Sequence, residues 1–149
     1  MKTPSVPALL VLMLFLVLPA TSNADRFDDY LTNFTYQERK DMKIESKELM
    51  ELLKKGEVQL IDIRFPEEVA AWRMGFAKNI PLNELPSRLG ELDKNKLIVT
   101  ACPHNDRSHI ARMYLTTKGY RVRYLHDGLI GLAELLRGDT ARDFITPAL

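Results

Sequence analysis

Leu97-Ile98-Val99-Thr100-Ala101-Cys102-Pro103-His104-Asn105-Asp106-Arg107-Ser108 is the stretch on which the fold reading turns. The run from Leu97 to Ala101 is apolar and β-branched and suits a short buried strand over 97–100. Cys102 ends that run, and His104 to Ser108 are all polar. An amphipathic segment follows at once, with Ile110, Ala111, Met113, Tyr114 and Leu115, so the pattern predicts a helix over 108–118 that Gly119 stops in the left-handed conformation. A strand that delivers a thiol into a short polar loop capped by a helix turns loop N–H groups and the positive helix end toward the sulfur. That setting favours the thiolate, which is the nucleophilic form. The alternative is a cysteine that serves as a small buried hydrophobe. The polar residues after Cys102 argue for the reactive reading.

Working outward, the same alternation of strand and helix recurs. Ile44 to Lys55 reads as a strand end and then a helix, with Ser46 as N-cap and Leu49, Leu52 and Leu53 as its apolar stripe. Val58-Gln59-Leu60-Ile61-Asp62-Ile63 reads as a buried parallel strand. Pro66-Glu67-Glu68 opens a helix with Pro in its first turn. Asn79-Ile80-Pro81-Leu82 is a brief strand, 84–92 a short helical stretch, Val122 to Leu125 a last strand, and Leu129 to Leu136 a last helix. Strands alternating with helices predict an α/β fold with a mostly parallel central sheet flanked by helices. Ligands of such sheets bind beyond the carboxyl ends of the strands. Cys102 sits beyond one such end, and Asp62 and Arg64 beyond another.

The first 24 of the 149 residues are a different material. Lys2 precedes the apolar run Ala8–Leu18, Pro19 breaks it, and Ser22-Asn23-Ala24 offers small residues before a cut. This is the layout of a secretory signal peptide cleaved after Ala24. The run is short for a membrane span, so no stable membrane anchor is expected after cleavage. The expected organisation is therefore a signal peptide at 1–24, a helical arm at 25–43, a domain at 44–137 and a polar tail at 138–149. The expected location is outside the cytoplasm: periplasmic in a bacterium, secreted otherwise.

Without Lys2, 20 basic residues face 20 acidic ones. Such balance argues against a nucleic-acid partner held by bulk electrostatics. One cysteine cannot form an internal disulfide, and a leftover thiol in an exported chain reads as reactive or intermolecular. The three histidines, His104, His109 and His126, lack metal-ligand spacing, and no dinucleotide or phosphate-loop fingerprint is present. No metal and no cofactor is expected.

Three segments together resemble the single-domain rhodaneses, which are sulfurtransferases. Leu60-Ile61-Asp62-Ile63-Arg64-Phe65-Pro66-Glu67-Glu68 resembles the family's opening strand and acidic–basic turn. Asn79-Ile80-Pro81-Leu82 resembles its "N-I-P-L" segment. Cys102 to Ser108, with Gly119-Tyr120-Arg121-Val122 and Leu125-His126-Asp127-Gly128, resembles its active-site loop and closing motif. The likeness runs over about Ile44 to Leu136. Departures stand at Arg73, where the family commonly has His, at Asp127 in place of a first Gly, and at Asn105 in place of a loop Gly. Asn tolerates positive φ better than most residues, so the turn is expected to survive.

The resemblance implies transfer of sulfane sulfur from thiosulfate or a related small donor to a thiol or cyanide acceptor, through a persulfide on Cys102. It implies a substrate-binding loop of His104, Asn105, Asp106, Arg107 and Ser108, with Asp62, Arg64 and Arg73 in support. Arg107 either holds an anionic donor at the mouth or turns inward to tie the loop to Asp62 or Glu68. Asp62 and Arg64 read as a fold-organising charge pair, and Ser108 as the N-cap of the helix after the loop. Asp106 is the anomaly, because an acid beside a thiolate opposes its ionisation. Two other readings stand beside this one. A partner protein could load Cys102, making the domain a persulfide carrier or binding module. A phosphatase of related fold needs five residues between cysteine and arginine, and here four separate Cys102 from Arg107.

Overall fold

The computed structural model describes residues 22–146. Most of the expected signal segment, 1–21, lies outside the described residues. The elements run α1 (Asn23–Thr32), α2 (Tyr36–Asp41), β1 (Lys43–Ile44), α3 (Ser46–Lys54), β2 (Val58–Asp62), α4 (Pro66–Ala71), β3 (Lys78–Asn79), β4 (Leu97–Ala101), α5 (Asp106–Thr117), β5 (Val122–Leu125), α6 (Gly128–Leu135) and α7 (Gly138–Ile145). The five strands form one parallel sheet in the order β1-β5-β4-β2-β3. This is the expected α/β architecture, with β4 at its centre.

Successive residues of a strand face opposite sides of the sheet. On one side, Leu60, Val99, Ala101 and Leu125 pack with Leu49 and Met50 of α3 and Leu129 and Leu132 of α6. On the other, Ile61, Ile98 and Val122 pack with Ala111 and Leu115 of α5, and Cys102 belongs to this layer. The β2–β4 register sets Asp62 opposite Ala101, and the Ile63 N–H reaches the Ala101 carbonyl at 3.0 Å. The two strand ends that carry the chemistry are thus level and adjacent.

Several local expectations change. The stretch 84–92 forms two single turns of 3-10 helix, Leu85–Ser87 and Leu89–Glu91, which bury Leu85 below the sheet. Ser46 is the first helical residue of α3, and Glu45 is the cap. The polar tail folds as α7 over 138–145, because Phe144 finds the Phe76 ring 5.1 Å away. The helical arm is made of two helices, α1 and α2. The expected cut after Ala24 falls in the first turn of α1, which Ser22 and Asp25 close with a reciprocal capping box. Of the arm's aromatic and aliphatic residues, Phe27, Leu31 and Phe34 remain exposed.

What ties the arm down is polar. Arg112 of α5 is 3% exposed, and it bonds the Tyr30 hydroxyl and the Glu38 carboxylate from the arm, with the Tyr30 ring beneath its guanidinium. Removing Glu38 leaves a buried guanidinium without its counter-charge. Glu38→Ala is therefore expected to cost about 2 kcal/mol, short of the full penalty for a wholly buried pair because Glu38 is partly in water. Urea unfolding checks this. A variant as stable as wild type would show that the arm is not held by this pair.

Candidate functional site

The site begins where β4 ends. Cys102 is fully buried as a residue and leads into a four-residue turn, 102–105, before α5 starts at Asp106. The Arg107 and Ser108 N–H groups and the Ser108 side chain lower the pKa of the cysteine sulfur. Ser108 is not the cap expected from the sequence. Asn105 holds that position, and Ser108 lies one turn in, buried, with its hydroxyl donating to the Asn105 carbonyl at 2.9 Å. Its own carbonyl accepts from Thr100 Oγ1 at 2.9 Å, which pins the first turn of α5 to β4.

The turn is held from outside by α6. The N–H of Leu129 donates to the Cys102 carbonyl at 2.9 Å, and that of Ile130 to the Pro103 carbonyl at 3.1 Å. This close approach requires Gly128. Its φ is +65°, and a Cβ there would stand 2.2 Å from the His104 carbonyl oxygen. Asp127, in the place of the family's first glycine, has φ −86° and needs no such freedom. Asn105 does not use positive φ either: it sits at φ −152° and holds the turn by donating from Nδ2 to the His126 carbonyl at 3.0 Å.

The charged residues sort into pairs. Arg64 is fully buried and meets Asp62 through Nε at 2.9 Å and Nη2 at 2.6 Å. Its Nη2 also donates to the Trp72 carbonyl, and the Trp72 ring lies 4.1 Å from the guanidinium carbon. Asn79 Nδ2 bridges the Asp62 and Arg64 carbonyls. Arg107 takes the second of its two readings: Nη1 and Nη2 grip the Glu68 carboxylate of α4 at 2.7 and 2.8 Å. That grip holds the Glu68 carboxyl down from the usual 4.5 to about 2. His104 and Arg73 are exposed and form no hydrogen bond or ion pair among the described residues.

Asp106 is exposed, with one carboxylate oxygen turned to the cysteine. Its Oδ1 lies 3.3 Å from Cys102 Sγ. Burial pushes the thiol pKa up and the Asp106 carboxylate pushes it further, while the Ser108 and Arg107 N–H groups and the Ser108 hydroxyl oppose them. Asp106 itself is held low by the Arg107 N–H and the thiol. The net direction is upward, which favours the protonated thiol over the thiolate expected from the loop alone.

The sequence picked out the loop but not its supports. Thr100 reads only as a strand residue, Asn79 only as part of a motif, and nothing marks the Trp72 carbonyl. Gly128 is the exception: a glycine after a strand and before an apolar helix signals a close approach, although not what approaches.

A sequence profile of the rhodanese-like domain matches residues 45–134. A protein of Allochromatium vinosum named as a sulfurtransferase is 37% identical over 92 residues, covering 60% of this chain and 86% of its own. Among solved structures, that of reduced Bacillus anthracis CoADR-RHD superposes with a TM-score of 0.58 at 31% identity, over 63% of this chain but 17% of that one. A rhodanese-like domain protein from Staphylococcus aureus gives 0.56 at 28% identity, over 60% of this chain and 89% of that one. The chain belongs to the rhodanese-like domain family, and its kinship is with sulfurtransferases.

Two outcomes follow from the geometry. Gly128→Ala is expected to lose roughly 2 kcal/mol or more, from strained φ and from collision with the loop. Gly56→Ala, also at positive φ but in open space, supplies the strain alone. Thermal unfolding of both variants separates the two contributions, and equal losses would show that the loop does not depend on the close approach. The second outcome concerns pH. Because the folded Glu68 pKa is depressed, its contribution to stability is present above about 4.5 and is lost as pH falls from there toward 2. Glu68→Gln is expected to be less stable than wild type at neutral pH, with the gap closing over that interval in urea titrations. A gap independent of pH would contradict the assignment.

Proposed function

We propose that this protein moves sulfane sulfur from thiosulfate or a related donor to a thiol or cyanide acceptor through a Cys102 persulfide, and that it does so outside the cytoplasm. The observation that carries the reading is the place of Cys102, buried at the end of β4 against the first turn of α5, where the Arg107 and Ser108 N–H groups favour charge on the sulfur. A persulfide is a more acidic group than a thiol, and preorganised N–H donors stabilise the anion that forms at that point, as in an oxyanion hole. The reaction divides into two displacements. Cys102 Sγ bonds to the outer sulfur of thiosulfate while the sulfur–sulfur bond to the sulfonate breaks and sulfite leaves with its electron pair. An acceptor thiolate or cyanide then takes the terminal sulfur, and Cys102 returns.

The cradle is built for one sulfur atom with few oxygens around it. The arginine of the loop is engaged by Glu68, and it stands four residues beyond the cysteine. Both features weigh against phosphate chemistry, which needs a free cation and a wider ring of donors. The apolar segment Ala8–Leu18 and the small residues before Asp25 support export.

Intact-mass spectrometry of the purified protein, before and after thiosulfate, tests the reading. Wild type is expected to gain one sulfur atom that cyanide removes as thiocyanate, and Cys102→Ala to gain none. Failure of wild type to gain sulfur, with Cys102 still open to alkylation, would leave a carrier loaded by a partner protein.

A further inference from the structure

An acid in the first turn of a helix is ordinary, because the helix dipole favours it. The direction of Asp106 is not explained that way. Its carboxylate is aimed at Cys102 Sγ, 3.3 Å away. The two arginines beside it are shared with other carboxylates, although the charge of Arg107 still lowers the Asp106 pKa and the exposed His104 and Arg73 carry no ion pair among the described residues. Both terminal nitrogens of Arg107 are on Glu68, and Arg64 is locked on Asp62. His109, on the same helix, is pushed down by burial and brings no charge at neutral pH. A donor that enters this site therefore meets a carboxylate at the reacting sulfur.

We propose that Asp106 holds the Cys102 proton in the resting site and, by its charge, selects sulfane-sulfur donors that carry one negative charge or none over the thiosulfate dianion. The proposal rests on the persulfide chemistry above and narrows its substrate class. With a thiosulfonate donor the step balances as follows. The Sγ–H bond breaks and its proton passes to Asp106 Oδ1. Sγ forms a bond to the donor's outer sulfur. The bond between that sulfur and the sulfonyl sulfur breaks, and the sulfinate leaves with the electron pair. Cys102 is oxidised to the persulfide anion, the sulfonyl group is reduced to sulfinate, and Asp106 releases its proton to water. With thiosulfate the same step brings two negative charges up to the carboxylate instead of one.

Thiosulfate and methanethiosulfonate present the same outer sulfur with different charge, so their ratio isolates the effect. In wild type, Asp106→Asn and Asp106→Glu, kcat/KM is measured for both donors by sulfur transfer to cyanide. Removing one charge beside the sulfur in Asp106→Asn is expected to raise the thiosulfate-to-thiosulfonate ratio by about tenfold. Asp106→Glu, which keeps the charge, is expected to retain the wild-type preference. An unchanged ratio in Asp106→Asn overturns the selection. The proton is read separately, from the pH dependence of Cys102 alkylation by iodoacetamide. Asp106→Asn is expected to move the midpoint down by about one pH unit, since a neighbouring carboxylate favours the protonated thiol. A midpoint that stays in place overturns the proton-holding role. If no variant gains sulfur from either donor, the sulfurtransferase reading fails and the selection with it, while the alkylation profile still decides the role of Asp106 toward the thiol.

Discussion

The contact between α6 and the cysteine turn is the constraint on which the site depends. A trans peptide directs its C=O and N–H to opposite sides. When Leu129 and Ile130 of α6 capture the carbonyls of Cys102 and Pro103, those carbonyls face away from the turn. The N–H of His104, which shares a peptide with the Pro103 carbonyl, is turned away from α6 in consequence. Only a glycine at 128 lets the helix come close enough, and its positive φ at the end of β5 starts α6 at the required angle. The same contact satisfies two N–H groups at the start of α6 that would otherwise lack partners.

Around that turn the protein places charge pairs whose function is to remain occupied. Arg64 and Asp62 are buried together, covered by Trp72 and bridged by Asn79, so the end of β2 is rigid beside the end of β4. Arg107 ties the first turn of α5 to α4 through Glu68. Arg112, further along α5, anchors the arm. Three arginines thus fix the helix and strand ends that frame the sulfur. Each is paired with a carboxylate, although Arg64 Nη1 and Arg112 Nε are buried without a hydrogen-bond partner among the described residues, and the carboxylate nearest the sulfur faces it. The electrostatics of the site come from backbone N–H groups on one side and Asp106 on the other.

Much of this was legible in the sequence, for identifiable reasons. β2 and β4 are largely buried on both faces and read as apolar runs broken only at Gln59, while β5 is short and interrupted by Arg123. Cys102 announced itself by the change from apolar to polar at the strand end. The charge pair of Asp62 and Arg64 followed from two opposite charges at the end of a buried strand. What failed were features set by tertiary contact. Ser108 looks like a cap but is one turn inside, because Asn105 finds the His126 carbonyl and takes the cap position itself. Residues 138–145 are too polar to read as a helix, and Phe144 alone recruits them to the domain. How the arm is tied down could not be read from the sequence: a buried arginine on α5 holds it. Asp106 could be seen as anomalous, but its direction could not.

The central claim is that the first turn of α5 receives the transferred sulfur on its N–H groups. The crystal structure of the persulfidated protein tests it most directly. The account places the terminal sulfur of Cys102 within hydrogen-bond reach of the Arg107 and Ser108 N–H groups, with α6 still bound to the Cys102 and Pro103 carbonyls. A terminal sulfur turned away from the loop, with those N–H groups bound to water, would contradict it.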